Sequence, residues 1–270
     1  MSTFPPLHVI TPKPNHAHTH TAVLLHGRGS SGPEFAEELF SSQTSTSQDL
    51  PSALPSWRWV FPTSLERWST TFEEEMCAWF DICSLVDITD RQELQAEGLR
   101  ESVGYILRIM EGETAELGGK PGRVVLGGMS QGMATGLWAL LAGGSLGRLG
   151  GFFGMCGWLP FAGDFEGMDS PKALAFISRI LSGSDVGTLA AGEGNTGVPS
   201  TPVLLTHGTD DVWVSVELGR QARRVLEGTM GMDVQWEEFT GAENDGHWVK
   251  EPEGVGSILE FLEAIIKAEE

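Results

Sequence analysis

The chain has 270 residues, of which 40% are hydrophobic and 20% are charged, a composition typical of one large α/β domain. Its 37 acidic residues outnumber its 17 lysines and arginines, so the formal net charge is −20. Nucleic acid and anionic lipid surfaces repel a protein this acidic, and we therefore expect neither as a partner.

The cysteine content and the N-terminal segment bear on the compartment. Cys77, Cys83 and Cys156 form no C-x-x-C pair and are too few for a disulfide framework. The first 20 residues lack the basic and apolar regions of a secretory signal. No apolar run approaches the roughly 20 residues that cross a bilayer. We therefore expect a cytoplasmic protein, with the nucleus as a second location, and no stable membrane insertion.

Short apolar segments rich in β-branched residues predict strands at 22–27, 57–62, 123–128, 149–155, 202–208 and 234–239. Several are apolar on both faces, as are the central strands of a covered parallel sheet. Amphipathic segments between and after them predict helices at 91–112, 132–143, 216–230 and 254–270. This alternation predicts an α/β fold with a doubly wound, mostly parallel sheet flanked by helices on both faces.

The domain organisation follows from the same pattern. We expect residues 1–270 to form a single α/β domain, with residues 1–20 as an N-terminal arm or edge strand. Segment 41–56 is rich in Ser, Thr and Pro, and segment 181–201 is rich in Gly. Both compositions predict mobile surface loop insertions.

One serine lies between a predicted strand and a predicted helix. The segment Gly128-Met129-Ser130-Gln131-Gly132 fits the pattern G-x-S-x-G. Small residues at its outer positions permit a sharp turn that exposes the serine hydroxyl, which is how a nucleophile is presented. The N-terminus of the following helix favours negative charge at the same place. The alternative is an ordinary turn serine.

A serine nucleophile needs a base and an orienting acid, and on this architecture the acid precedes the histidine in the chain. Asp210 and Asp211 follow the strand at 202–208, and both are candidates for the acid. His247 lies between the last strand and the last helix and is the candidate base. His207 precedes both aspartates, which argues against it.

Two backbone N–H groups are needed to stabilise the negative charge that develops on the substrate oxygen. One should belong to Gln131, which follows the serine. The other should come from the glycine-rich loop at 26–32, because glycine lets the backbone approach a substrate closely. We choose the Arg28 N–H and expect the Arg28 side chain to point to solvent.

Six motifs together resemble the phospholipase/carboxylesterase family, which includes the acyl-protein thioesterases and small cytosolic carboxylesterases. They are HGRGSSG (26–32), CAWFDI (77–82), GGMSQGMA (127–134), GWLPF (157–161), HGTDDVWV (207–214) and DGHW (245–248). The resemblance runs from about residue 20 to the C-terminus and implies an α/β-hydrolase fold.

By this resemblance Ser130 is the nucleophile and His247 the base. The family pattern H-G-x-x-D falls on His207, Gly208 and Asp211, which makes Asp211 the acid. The implied reaction is hydrolysis of esters or thioesters through an acyl-enzyme, with S-acylated proteins among the substrates and with neither metal nor cofactor.

Three residues of the shared motifs are candidates for the acyl pocket: Trp79, Trp158 and Leu159. Ordinary core packing is the alternative for each of them. Two segments depart from the family pattern: 181–201, and 64–78, a region that shapes the acyl-binding channel in the family.

The departure at 64–78 leaves the choice of substrate open, and two alternatives for the function remain. One is hydrolysis of lysophospholipids or small xenobiotic esters. The other, of a different class, is a hydrolase-fold protein that binds a ligand without turnover. The amphipathic last helix is predicted to pack on the sheet, so we expect a monomer or a weak homodimer.

Overall fold

A seven-stranded sheet forms the centre of the protein, in a computed structural model that describes residues 3–84, 86–183 and 198–269. The strands are β1 (His8–Ile10), β2 (His20–Leu25), β3 (Trp57–Phe61), β4 (Glu66–Ser69), β5 (Glu74–Cys77), β6 (Val124–Met129), β7 (Gly151–Met155), β8 (Val203–Gly208) and β9 (Val234–Phe239). The sheet has the order β1-β3-β2-β6-β7-β8-β9, and β4 and β5 pair separately as an antiparallel hairpin. Only β1 runs antiparallel to its neighbour in the sheet.

Seven α-helices lie in the described residues: α1 (Gly32–Ser41), α2 (Leu50–Ala53), α3 (Gln95–Glu116), α4 (Gln131–Ala142), α5 (Ser170–Ser182), α6 (Val216–Gly228) and α7 (Glu253–Glu269). Successive side chains of a strand point to opposite faces of the sheet, so the apolar central strands present two apolar faces. Helices cover both of these faces. In β2, Val23 and Leu25 face a core that includes α3, α4, α5 and α6. Ala22 and Leu24 face a second core that includes α1 and α7. This is the predicted doubly wound, mostly parallel sheet.

The central strands and the four predicted helices form where the sequence indicates, with shifts of a few residues at their ends. The largest shift is in α3, predicted at 91–112 and found at Gln95–Glu116. No helix among the described residues combines the length and apolar character needed to span a membrane.

The segment 41–56 differs from the surface loop that its composition predicts. It contains the short helix α2, and the side chain of Leu50 is fully buried in the core. The hydroxyl of Ser42 accepts a hydrogen bond of 3.1 Å from the indole N–H of Trp248. The segment is therefore packed against the loop before α7. Of the other predicted insertion, 181–201, residues 184–197 lie outside the described residues.

Candidate active site

Ser130 occupies a sharp turn between β6 and α4. Its backbone has φ 55° and ψ −121°, a strained combination for a residue with a side chain. The Ser130 N–H donates to the carbonyl oxygen of Met155 on β7, at 2.8 Å, which fixes the turn to the neighbouring strand. A Cβ at Gly132 would overlap the carbonyl oxygen of Leu25 on β2. Glycine is required there because helix and strand backbones approach too closely for any side chain.

His247 and Asp211 form a direct pair. The Nδ1 of His247 lies 2.7 Å from Oδ2 of Asp211, whose carboxylate is fully buried. The other oxygen, Oδ1, accepts the N–H groups of Trp213 and Val214, each at 2.9 Å. Burial by itself raises the pKa of the Asp211 carboxyl, but hydrogen bonds from His207, His247 and Val214 hold it well below its ordinary range.

The second candidate acid has a different place. Asp210 is exposed, and its Oδ2 accepts the N–H of Gly241 at 2.7 Å. Of the two neighbouring aspartates, the structure therefore brings Asp211 to His247 and directs Asp210 to the loop after β9.

A cavity of about 570 Å³ joins the separate parts of the site. Ser130 and His247 both line it, as does the loop at 27–30 that follows β2. Most of its remaining lining is apolar and comes from Phe35, Phe72, Met76, Met129, Trp213, Val214 and Trp248. The carboxyl ends of β2, β6 and β8 thus meet at one cavity, where open α/β sheets bind their ligands.

Arg28 lines this cavity, but its side chain does not extend freely into solvent as predicted. Its guanidinium carbon lies 4.5 Å from the centre of the Phe72 ring, a cation–π contact. Burial lowers the pKa of Arg28 to about 10, against an opposing contribution from Asp81. The neighbouring Gly29 N–H donates to the carbonyl oxygen of Cys77 at 2.8 Å, so the loop is tied to the end of β5.

Gln131 opens α4 directly after the serine, and its side chain is buried. Its amide oxygen accepts the Trp79 N–H at 2.9 Å, and its amide nitrogen donates to the carbonyl oxygen of Phe80 at 2.8 Å. The Gln131 side chain therefore links the serine turn to the segment after β5. Its backbone forms the first residue of α4, next to the cavity-lining Ser130.

The three residues predicted to bind the acyl group lie in the core, which corrects that prediction. Trp79 is fully buried, and its indole N–H donates to the carbonyl oxygen of His26 at 2.8 Å. Trp158 packs edge-to-face against Phe80, with 6.0 Å between ring centres, and Leu159 is fully buried. None of the three is among the residues that line the cavity.

Sequence reasoning missed the residues that form the cavity wall. Phe72 and Met76 belong to the β4–β5 hairpin, within the segment that departs from the family pattern. Trp213 follows Asp211, and 50% of its surface is exposed, against 44% for Phe72. The sequence shows an aromatic residue close to a candidate catalytic aspartate, but it does not show that this residue is exposed. Exposure is what marks Trp213 as part of a binding surface.

Acidic side chains border the same cavity. Glu38 of α1, Glu74 of β5 and Asp245 beside His247 all line it. Burial raises the pKa of Glu38, and the carboxylates of Glu34 and Glu37 raise it further. The cavity therefore combines an apolar wall with a mainly acidic border.

Two further buried groups hold the site's loops. The thiol of Cys156 lies 3.9 Å from the carbonyl oxygen of Gly246 and 3.8 Å from that of Trp248, the residues on either side of His247. Burial raises the pKa of this thiol to about 12, so it remains protonated. The Nε2 of His26 accepts the Ser64 N–H at 3.0 Å, and burial lowers the pKa of His26 to about 4.

Comparison with known proteins identifies relatives along most of the chain. The sequence profile of the Phospholipase/Carboxylesterase family matches residues 7–186. Acyl-protein thioesterase 1 of Yarrowia lipolytica is 30% identical over 258 residues, which cover 93% of this chain and 94% of that protein. The carboxylesterase SOBER1 of Arabidopsis thaliana is 28% identical over 250 residues, covering 90% of this chain and 87% of that protein.

Solved structures show the same fold. The crystal structure of Zea mays acyl-protein thioesterase 2 superposes with a TM-score of 0.70 at 24% identity, covering 97% of this chain and 99% of that one. The α/β-hydrolase fold implied by the motifs is therefore confirmed. Because the family profile spans more than half of the sequence and a relative is 30% identical over nearly its whole length, this chain belongs to the phospholipase/carboxylesterase family of α/β hydrolases.

Proposed function

We propose that this protein hydrolyses carboxylic esters and thioesters with Ser130 as the nucleophile, His247 as the general base and Asp211 as the group that orients the base. The backbone N–H groups of Gln131 and Arg28 stabilise the oxyanion. The observation that carries the proposal is the 2.7 Å bond between His247 and the buried Asp211, at a cavity that also contains the strained Ser130.

The chemistry follows from the protonation of the pair. Since Nδ1 of His247 donates to Asp211, Nε2 of the neutral ring carries a lone pair that can accept the Ser130 proton. Ser130 Oγ then bonds to the acyl carbon, and the bond to the leaving oxygen or sulfur breaks. His247 returns the proton to the leaving alcohol or thiol. Water, deprotonated by His247, attacks the acyl-enzyme; the bond to Ser130 Oγ breaks, His247 returns the proton to that oxygen, and the acid is released.

A covalent probe tests the nucleophile directly. We expect a fluorophosphonate to add once to the parent protein, as measured by intact mass, and not at all to Ser130→Ala. No adduct on the folded parent would favour the alternative of a binding protein without turnover. An adduct retained by Ser130→Ala would assign the nucleophile to another residue.

For the substrate, we propose a fatty acyl thioester on a protein. The cavity supports this with its volume of about 570 Å³ and its aromatic and methionine wall, which suit a long apolar group. Relatives that carry the name acyl-protein thioesterase 1 support it as well. The free thiols of Cys77, Cys83 and Cys156 suit the reducing cytoplasm and nucleus, where we place the protein.

The nearest alternative is a small-ester or lysophospholipid hydrolase, and the relative named carboxylesterase SOBER1 keeps the small-ester alternative open. Turnover of a palmitoyl-thioester peptide, a lysophospholipid and p-nitrophenyl acetate by one preparation separates the three. We expect the highest kcat/KM for the palmitoyl peptide, because its acyl chain fills the apolar wall as an acetyl group cannot and its thiol leaves more readily than the alcohol of a lysophospholipid. A higher value for the acetate would favour the small-ester function.

A further inference from the structure

A second histidine approaches the carboxylate of Asp211. His207 is the penultimate residue of β8, and its side chain is fully buried. Its Nε2 lies 2.9 Å from the carbonyl oxygen of Val214 and 3.4 Å from Oδ2 of Asp211. Both neighbours are acceptors, so Nε2 must carry the ring hydrogen, which it directs between them.

The other ring nitrogen fixes this orientation. Nδ1 of His207 is buried and has no hydrogen-bond partner within the part of the chain that the structure describes. It faces Gly219 of α6, where a Cβ would overlap the nitrogen, and a carbon of Trp236 lies 2.8 Å from the same position. A ring flip would place Nε2, with its hydrogen, against this apolar surface. The packing therefore holds the donor on the side of Asp211.

His207 also connects the two ends of the turn that carries Asp211. The Val214 N–H donates to Oδ1 of Asp211, and the Val214 carbonyl accepts from His207. The carboxylate is thus held at Oδ1 by two backbone N–H groups and at Oδ2 by two imidazole rings. The unequal distances at Oδ2, 2.7 Å to His247 and 3.4 Å to His207, leave the stronger bond to His247.

We propose that His207 is a positioning residue for the reaction: its Nε2–H holds Asp211 in the orientation that aligns His247 with the serine. This inference rests on the proposed function, because it assigns a role within the same triad. His207 does not line the cavity, and it acts on Asp211 both directly and through the Val214 turn that holds Oδ1. Its loss lets the carboxylate rotate about its side-chain bonds, which misaligns the base and slows proton transfer without weakening substrate binding.

Two substitutions of His207 separate the effect of losing its hydrogen-bond donor from the effect of losing the volume of its ring. The amide nitrogen of His207→Gln can reach the position of Nε2, whereas that of His207→Asn reaches only the position of Nδ1. With p-nitrophenyl butyrate we expect His207→Asn to lower kcat about ten- to a hundredfold with KM within about twofold of the parent. We expect His207→Gln to keep kcat within about threefold.

The control for general loss of stability is His20→Leu, which removes a buried imidazole from the opposite end of the parallel sheet. Thermal unfolding of all variants identifies losses of the folded state, and we expect His20→Leu to keep the parent kcat. Equal kcat values for folded His207→Gln and His207→Asn, or a loss confined to KM, would overturn the inference.

Ser130→Ala in the same assay distinguishes a failure of the positioning role from a failure of the proposed triad. If Ser130→Ala is inactive and His207→Asn keeps the parent kcat, the positioning role fails and the triad stands. If Ser130→Ala keeps the parent activity, the triad itself is wrong and the role of His207 falls with it.

Discussion

The two aspartates after β8 are chemically identical neighbours with opposite environments. The Asp211 carboxylate is buried, accepts hydrogen bonds from His247, Trp213 and Val214, and has Nε2 of His207 3.4 Å away, whereas Asp210 is exposed and accepts from Gly241. A shift of the loop by one residue would therefore replace Asp211 with Asp210 as the partner of His247. The spacing within the family pattern indicated the correct partner for His247, but the residue types alone left both open.

The pair offers a matched test of the proposed acid. We expect Asp211→Asn to lower kcat by about 10⁴-fold, because an amide cannot hold the required tautomer of His247 or stabilise its charged form. Asp210→Asn is the control, and its kcat should stay within about twofold of the parent. Comparable losses in both variants, measured with p-nitrophenyl butyrate, would contradict the assignment.

His26 makes stability depend on pH in a definite direction. Burial lowers its pKa from 6.5 to about 4, and its Nε2 is occupied by the Ser64 N–H. As the pH falls from 6.5 to about 4, the unfolded chain binds a proton that the folded chain does not, so the free energy of unfolding falls. The stabilisation is complete above pH 6.5 and is lost as the pH passes below about 4.

We expect the stability advantage of the parent over His26→Gln to shrink by about 3 kcal/mol across this range, as measured by urea unfolding. His16→Gln changes an exposed histidine and should show the same pH dependence as the parent. A constant difference between the parent and His26→Gln would show that His26 binds its proton equally in both states.

The elements of the fold were predictable to different degrees. The central strands and α4 have nearly continuous apolar runs, α3, α6 and α7 have apolar residues at helical spacing, and the structure confirms all of them. Helix α1 was missed although Ser31 caps it and bonds Glu34, and α5 was missed although Asp169 caps it. These signals were available from the sequence, because both helices also bury apolar residues at helical spacing.

The β4–β5 hairpin was missed for another reason. Its strands, ERWS and EEMC, carry mostly charged or polar side chains and contain no regular apolar alternation. Contacts made elsewhere hold it: the N–H and hydroxyl of Thr70 donate to Asp81, and the Nε of Arg67 donates to the carbonyl oxygen of Ala78. Because the path of the hairpin depends on these distant contacts, the sequence could not show that Phe72 faces the cavity while Trp79 faces the core.

The junction of β6 and α4 tolerates no added volume. We expect Gly132→Ala to destabilise the protein by at least about 3 kcal/mol, because its Cβ would lie 2.6 Å from the carbonyl oxygen of His26 and closer still to that of Leu25. Gly112→Ala, at an open position on α3, is the control and should stabilise the protein by about 0.5–1 kcal/mol. Chemical unfolding of both variants gives the comparison, and a Gly132→Ala protein as stable as the parent would disprove the close packing.

At the scale of the whole molecule, the net charge is −20, and the border of the cavity is acidic as well. Glu38, Glu74 and Asp245 border the cavity, and Arg28 is the one lysine or arginine among its lining residues in the described part of the chain. The long-range field and the border therefore act in the same direction, attracting cations to the cavity and repelling anions.

We expect this field to discriminate between two thioesters that share an acyl group but carry a quaternary ammonium or a carboxylate in the leaving group. At low salt the cationic thioester should have about a tenfold higher kcat/KM, and the ratio should fall as ionic strength rises past roughly 0.1 M. Glu74→Gln should reduce the ratio, whereas Glu116→Gln, near His18 at the opposite end of the sheet, should not. A preference for the carboxylate would show that Arg28 outweighs the acidic border.

The hairpin that forms the cavity wall is also bonded to the loop that carries Arg28. Cys77 accepts the Gly29 N–H, and Phe72 lies under the Arg28 guanidinium. A substitution in the wall that accommodates a new acyl group is expected to shift, through these contacts, the loop that carries Arg28, the proposed oxyanion donor. Changes of specificity in this lineage are therefore expected to reduce turnover at first and to recover it only through compensating substitutions in the 27–30 loop.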